Sequence, residues 1–150
     1  MSDDPYSISG DQYSIALEES PAPEDTRFVF DSLQKFNFGI VGDDNHRSLA
    51  IFLRNKESHI VGGLLGDTYW GWLYVSILWI DERLRGQGYG DKLLGLAEQE
   101  AIVRGCKHAH LDTMDFQALP FYEKRGYAVY GVLDDLPEGH KRYFLQKSLV

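Results

Sequence analysis

Leu78-Trp79-Ile80-Asp81-Glu82-Arg83-Leu84-Arg85-Gly86-Gln87-Gly88-Tyr89-Gly90-Asp91-Lys92-Leu93-Leu94 is the stretch on which the reading of this chain turns. The apolar run 75–80 leading into it reads as a buried strand. A short charged turn follows, then three glycines at alternate positions, then a helical pattern. Strand, glycine turn and helix start together make an anion site. Glycine lets the backbone curl close to a ligand, and the first helical N–H groups have no partner inside the helix. The helix dipole adds partial positive charge there, and Arg85 adds a full one. The expected guest is a phosphate or diphosphate.

Spacing narrows the guest. A P-loop closes on Gly-Lys-Ser/Thr, whereas Gly90 is followed by Asp91-Lys92-Leu93. The dinucleotide fingerprint needs G-x-G-x-x-G, and here the third glycine comes one residue early. That spacing also counts against a small nicotinamide oxidoreductase. The stretch does fit Arg-x-x-Gly-x-Gly, with Arg85, Gly88 and Gly90 at the three places.

With that motif the sequence resembles the GNAT superfamily of N-acetyltransferases, whose pyrophosphate loop for acetyl-coenzyme A carries it. Leu78-Trp79-Ile80 is similar to the family's strand before the loop. A second stretch, Asp115-Phe116-Gln117-Ala118-Leu119-Pro120-Phe121-Tyr122-Glu123-Lys124-Arg125-Gly126-Tyr127, resembles the family pattern Asn-x-x-Ala-x-x-(Leu)-Tyr-x-(Lys)-x-Gly-(Phe/Tyr). Ala118, Tyr122, Gly126 and Tyr127 match it, while Asp115 stands where the family has Asn.

At 150 residues the chain is expected to form one domain over 1–150, with residues 1–10 a flexible tail. With 43% apolar and 13% aromatic residues, extensive disorder is excluded. No apolar run approaches the roughly 20 residues that cross a bilayer. The start, Met1-Ser2-Asp3-Asp4-Pro5, is acidic and does not read as a secretory signal. A single cysteine, Cys106, forms no internal disulfide and suits a reducing cytoplasm. It reads as a buried bystander rather than an acyl carrier. The formal net charge of −8 argues against nucleic acid and anionic membranes as partners and leans weakly toward a cationic small molecule.

Along the chain, the alternation over 13–17 reads as a first strand. Pro21 and Pro23 break it, and Glu24-Asp25 suit a helix start. Val29, Leu33 and Phe36 then fall at helical spacing, with Gly39 as the stop. Strands are expected over 48–54, 60–65 and 72–80, with turns at 55–58 and 66–68. A long helix is expected over 82–105, with Leu93, Leu94, Ala97 and Ala101 inward and Gly105 at its end. Then come a strand over 107–113, a helix over 116–125 and strands over 127–132 and 142–149. Pro120 must lie in the first turn of its helix.

This order is α/β with a mixed sheet. The resemblance implies a GNAT-like splayed sheet of about seven strands flanked by helices, with coenzyme A in the V-shaped gap. It implies pantetheine bonds from the backbone of Leu78 and Ile80. It also implies cofactor contacts from Trp79, Arg85, Gly86, Gln87, Gly88, Tyr89, Gly90, Asp91, Asp115 and Tyr122. Acetyl-coenzyme A would be the co-substrate, a small-molecule or peptide amine the acceptor, and a homodimer the assembly. Antibiotic, polyamine, amino acid and protein N-terminus all stay open as acceptors.

Tyr122 is the expected general acid, because a phenol within reach can protonate the departing thiolate. Glu82 and Asp112 are the expected catalytic carboxylates, with Asp81 and His110 as further candidates for the base. His108, His110 and Asp112 share one strand face by period two. That alternation also permits a metal, but no further His or Cys cluster supports one, and the reading is metal-free. The acceptor pocket is expected from the helical arm, the meander and the last hairpin. Of the aromatics Tyr69, Trp70, Trp72, Tyr74 and Trp79, most are expected in the core and one or two on the pocket wall. The loop 139–142 reads as a solvated turn. The other class kept open is a catalytically silent coenzyme A-binding regulatory or interaction module.

Overall fold

A computed structural model of the chain describes residues 8–9 and 12–150. By its internal packing the chain divides into two units, residues 1–42 and 43–150. The tail expected over residues 1–10 lies outside the described residues except for Ile8 and Ser9.

In the first unit, β1 (Ile8–Ser9) pairs antiparallel with β2 (Ser14–Ile15) as a two-stranded ladder of its own. The strand expected over 13–17 is therefore shortened and stands outside the main sheet. Helix α1 (Pro23–Val41) follows. Pro23 occupies the first turn, where its missing N–H is not needed, and Glu24 and Asp25 complement the dipole. The helix runs through Gly39, the expected stop. It ends at Gly42, whose φ of 82° supplies the left-handed turn and whose N–H donates to Phe38 O at 2.9 Å.

The second unit is one six-stranded sheet in the order β3-β4-β5-β6-β8-β7, rather than about seven strands. The strands are β3 (Arg47–Arg54), β4 (Ile60–Tyr69), β5 (Trp72–Ile80), β6 (His108–Met114), β7 (Ala128–Asp134) and β8 (Lys141–Ser148). All neighbours are antiparallel except β5 and β6. Helix α2 (Tyr89–Val103) packs against β3, β4 and β5. The short helix α3 (Leu119–Lys124) follows β6.

The core lies on one face of this sheet. Leu64, Leu73, Val75, Leu111 and Leu145, every second residue on four strands, bury against Leu93, Leu94, Ala97 and Ala101 of α2. These are the four α2 residues that helical spacing points inward. Arg104, just past α2, pins the layers. Its Nη1 donates to Arg47 O, Ser48 O and Thr68 Oγ1 at 3.3, 3.2 and 3.1 Å. Cys106 is buried, and burial pushes its thiol up, as an inert position requires.

Three boundaries differ from the expectation, each for a local reason. The turn expected at 66–68 is strand. The hairpin instead turns at Trp70 and Gly71, whose φ values of 46° and 76° are the positive pair that tight hairpins favour. Gly66 is glycine because a Cβ there would lie 2.3 Å from Tyr74 O. The helix expected from 82 is interrupted: residues 82–84 form a 3-10 turn, and α2 starts only at Tyr89. Residues 115–117 form a turn before α3, where Gln117 Oε1 accepts Met114 N–H at 2.8 Å and the Thr113 hydroxyl at 3.2 Å.

Candidate active site

The sheet parts next to the glycine turn. Register between β5 and β6 runs from Trp72↔His108 to Val75↔Leu111 and stops. Beyond it, β5 continues for five residues bonded to β4, and β6 for three bonded to β8. A bulge sets the break. Pairing with β4 steps from Gly66↔Val75 to Leu65↔Ile77, so Ser76 is the extra residue, and its hydroxyl donates to Leu65 O at 3.0 Å. A bulge bends the strand that carries it, and here it carries β5 away from β6. The parted strands leave backbone N–H and C=O groups facing the gap, where the amides of an extended ligand can bind. Leu78 and Ile80 stand on this stretch of β5, half-buried, and Trp79 is exposed between them.

The glycine turn closes the end of β5. Asp81 caps the 3-10 turn by accepting Arg83 N–H at 2.9 Å. The Arg83 guanidinium adds bonds at 3.0 Å to each Asp81 oxygen and, with the backbone bond, holds that carboxyl down at about 2. Asp81 is therefore a structural anion and a poor base. Arg85 turns its Nε onto Ile80 O at 3.1 Å, and Gln87 donates to Arg83 O at 3.3 Å.

The three glycines serve two purposes. Gly86 and Gly88 have φ of 76° and 85°, and among the described residues nothing lies within 4 Å of where a Cβ would stand. They give the left-handed turns and open space that a diphosphate needs at a helix start. Gly90 is buried. A Cβ there would meet the Phe121 ring at 3.2 Å and Ile80 Cδ1 at 3.4 Å, so it lets α2 sit close to α3 and β5. Tyr89 and Asp91 flank it in the first turn, and Asp91 pairs with Arg125.

Helix α3 carries Tyr122. It is buried, with its ring edge-on to Phe121 and Tyr127. Burial, and then the charge of Asp112, pushes its phenol up to about 12. The hydroxyl is thus fully protonated at neutral pH. Asp112 on β6 is an ion-pair member: its Oδ1 accepts Arg142 Nε and Nη2 at 2.8 and 2.6 Å, and its Oδ2 accepts the Tyr74 hydroxyl at 3.4 Å. Glu82 stands exposed on the 3-10 turn.

His110 stacks on Tyr74 at 4.9 Å, and its Nε2 lies 3.1 Å from the Tyr69 hydroxyl. Burial, only partly offset by Asp112, pulls its imidazole below the ordinary value. His108 stacks on Trp72 at 4.7 Å. Among the described residues no three His, Cys, Asp or Glu side chains stand together as a metal site.

Asp115 is engaged by the last hairpin. Its Oδ1 meets His140 Nδ1 at 2.9 Å and its Oδ2 accepts Lys141 N–H at 3.0 Å. Desolvation alone would raise its carboxyl; the His140 and Lys141 bonds outweigh it and hold the group low. Its carboxylate fastens the β7–β8 hairpin. The bulge at Ser76 was missed from sequence, and so were the bonds that Tyr74 and Arg142 make to Asp112. Only Ser76 left a signal: it is the one polar residue in the run 75–80, and the alternation slips there.

A parted sheet with an open glycine turn and helix start at one end, and a buried, protonated tyrosine on α3, has the chemistry to hold an extended, phosphate-bearing ligand between two strands. The chain matches the Acetyltransferase (GNAT) family over residues 8–127 and belongs to it. It is 39% identical over 134 residues to acetyltransferase Atu2258 of Agrobacterium fabrum, covering 89% of this chain and 98% of that one. It is 37% identical over 101 residues to the blasticidin-S acetyltransferase of Streptomyces morookaense, covering 67% and 74% respectively. The crystal structure of an acetyltransferase from Bacillus cereus superposes with a TM-score of 0.81 at 32% identity, over 89% of this chain and 97% of that one. A Bacillus anthracis protein crystallised in complex with acetyl coenzyme A shares the fold at 20% identity, with a TM-score of 0.60 over 67% and 62% of the two chains.

Proposed function

We propose that the protein is an N-acetyltransferase that moves the acetyl group of acetyl-coenzyme A to a primary amine by direct attack. The observation that carries this reading is the end of β5–β6 pairing at Val75↔Leu111 between a glycine turn and a buried, protonated tyrosine. The diphosphate lies on the open turn at Gly86 and Gly88 and the first N–H groups of α2. The pantetheine amides take the free backbone of β5 at Leu78 and Ile80. Acetyl-coenzyme A as co-substrate accords with family membership.

In the reaction the amine nitrogen bonds to the thioester carbon and the C–S bond breaks. The proton lost by the amine is balanced by the proton gained by the thiolate. Tyr122 donates its hydrogen bond to sulfur as charge develops there. A thiol ordinarily titrates near ~8.5, below this phenol, so the hydrogen bond to the developing thiolate comes first. Proton transfer completes as the amine's proton is released to the site. The two carboxylates take different parts. Asp112, an anion held in place by Arg142, helps keep Tyr122 protonated, and Glu82, exposed and without a salt-bridge partner among the described residues, takes the amine proton through solvent.

A small-molecule acceptor is favoured by the name of one relative, blasticidin-S acetyltransferase. The test is a screen of amines with acetyl-coenzyme A read by free thiol. Thiol release matched by acetylated amine supports the reading; bound cofactor with no release for any amine overturns it.

A further inference from the structure

The sheet carries a second concavity, on the face turned away from α2. Leu73, Leu111 and Leu145 bury under the helix, so their neighbours Trp72, His110 and Gln146 point the other way. There, Trp72 of β5, His110 of β6, Tyr130 of β7 and Gln146 of β8 line an open cavity of about 240 Å³. Its walls are set before any ligand arrives. Trp72 stacks on His108 at 4.7 Å and meets His110 edge-on at 5.6 Å. Tyr130 is aimed by a bulge, since β7–β8 register steps from Val129↔Leu145 to Gly131↔Phe144 and leaves it as the extra residue.

The lining has a definite chemistry. Among the described residues it holds no carboxylate and no ammonium. His110 is an uncharged ring at neutral pH, because burial pulls its imidazole down. Asp112, two residues along β6, is already paired with Arg142. Gln146 is the one side chain of the set that presents an amide, with both donors and an acceptor. A cation would find little counter-charge here, with one face of Trp72 already covered by His108. An alkyl chain would make no use of the amide. A flat ring with its own donor and acceptor edge uses everything present: stacking from the aromatics and edge reading from Gln146.

We propose that this cleft binds a flat, uncharged heteroaromatic ring of the nucleobase kind carried by the acetyl acceptor, and so selects which amines are acetylated. The cleft lies beside the gap, since His110 is one residue before the last β5–β6 pair and roughly 7 Å along the strand from Asp112. That the ring belongs to the acceptor rests on the N-acetyltransferase reading; that a ring binds does not.

Two probes separate these. 1-Propyluracil has no amine, and its binding is read by melting temperature. It is expected to raise the parent's melting temperature, with the shift lost in Trp72→Ala and in Gln146→Leu. The exposed Gln146 keeps the test valid if loss of Trp72 disturbs folding. 1-(3-Aminopropyl)uracil is then expected to exceed hexylamine in kcat/KM by roughly tenfold or more, with that ratio collapsing in Gln146→Leu. No response to 1-propyluracil, a full response in Gln146→Leu, or an equal response to tetramethylammonium would overturn the ring site. Binding of 1-propyluracil with neither amine acetylated would uphold the ring site and overturn its assignment to the acetyl acceptor.

Discussion

The proposed reaction rests on the hydroxyl of Tyr122, and Tyr122→Phe removes that group while keeping the ring packed on Phe121 and Tyr127. A general acid contributes roughly 10²- to 10⁴-fold, so turnover should fall into that range while cofactor affinity, read by titration, stays within a few-fold. The same burial has a signature in stability. The phenol's folded value of about 12 stands above its ordinary 10.0, so the folded state holds the proton more tightly. That contribution is full below pH 10 and is lost as pH rises through 12. Tyr122→Phe should therefore flatten the alkaline fall of the melting temperature, and an unchanged alkaline limb would contradict the burial argument. His110 behaves in the opposite sense. Its imidazole should titrate below the ordinary 6.5 in a proton-resonance titration. Its contribution is present above that ordinary value and is lost as pH falls through the lowered one.

The two kinds of glycine are distinguished at the level of the turn and the helix start. Gly88→Val places a branched side chain at φ 85° in the space left for the diphosphate. It should remove the melting-temperature rise that acetyl-coenzyme A gives. Gly90→Ala should instead destabilise the protein by about 1–3 kcal/mol, measured by denaturant unfolding, because its Cβ meets the Phe121 ring at 3.2 Å. The strand-glycine-helix order was legible because each part has its own local signal. The glycine roles were not, since Gly90 owes its identity to Phe121, thirty-one residues away in sequence. The bulge at Ser76 was half legible. One polar residue in an apolar run marks it, but only pairing with β4 shows that the strand slips there. The bonds of Asp115 were not legible either: its partners His140 and Lys141 come from a hairpin that no spacing rule ties to it.

Across the whole molecule, the succession of strands along 47–148 follows from periodicity and turn residues and the inward face of α2 from spacing alone, whereas the place of β8 between β6 and β7 does not. The boundaries at Gly39 and Gly66 were misread because a glycine's meaning depends on its φ and on what faces it, and neither is written locally. The central claim is acetyl transfer within the parted sheet, and the measurement that tests it most directly is simultaneous detection of both products. Acetyl-coenzyme A is incubated with a panel of primary amines; free thiol and N-acetylated amine are quantified in parallel for the parent and for Tyr122→Phe. The account predicts equal amounts of the two products from at least one amine, with the rate in Tyr122→Phe lower by roughly 10²- to 10⁴-fold. Thiol without acetylated amine, or a Tyr122→Phe protein as fast as the parent, would contradict it.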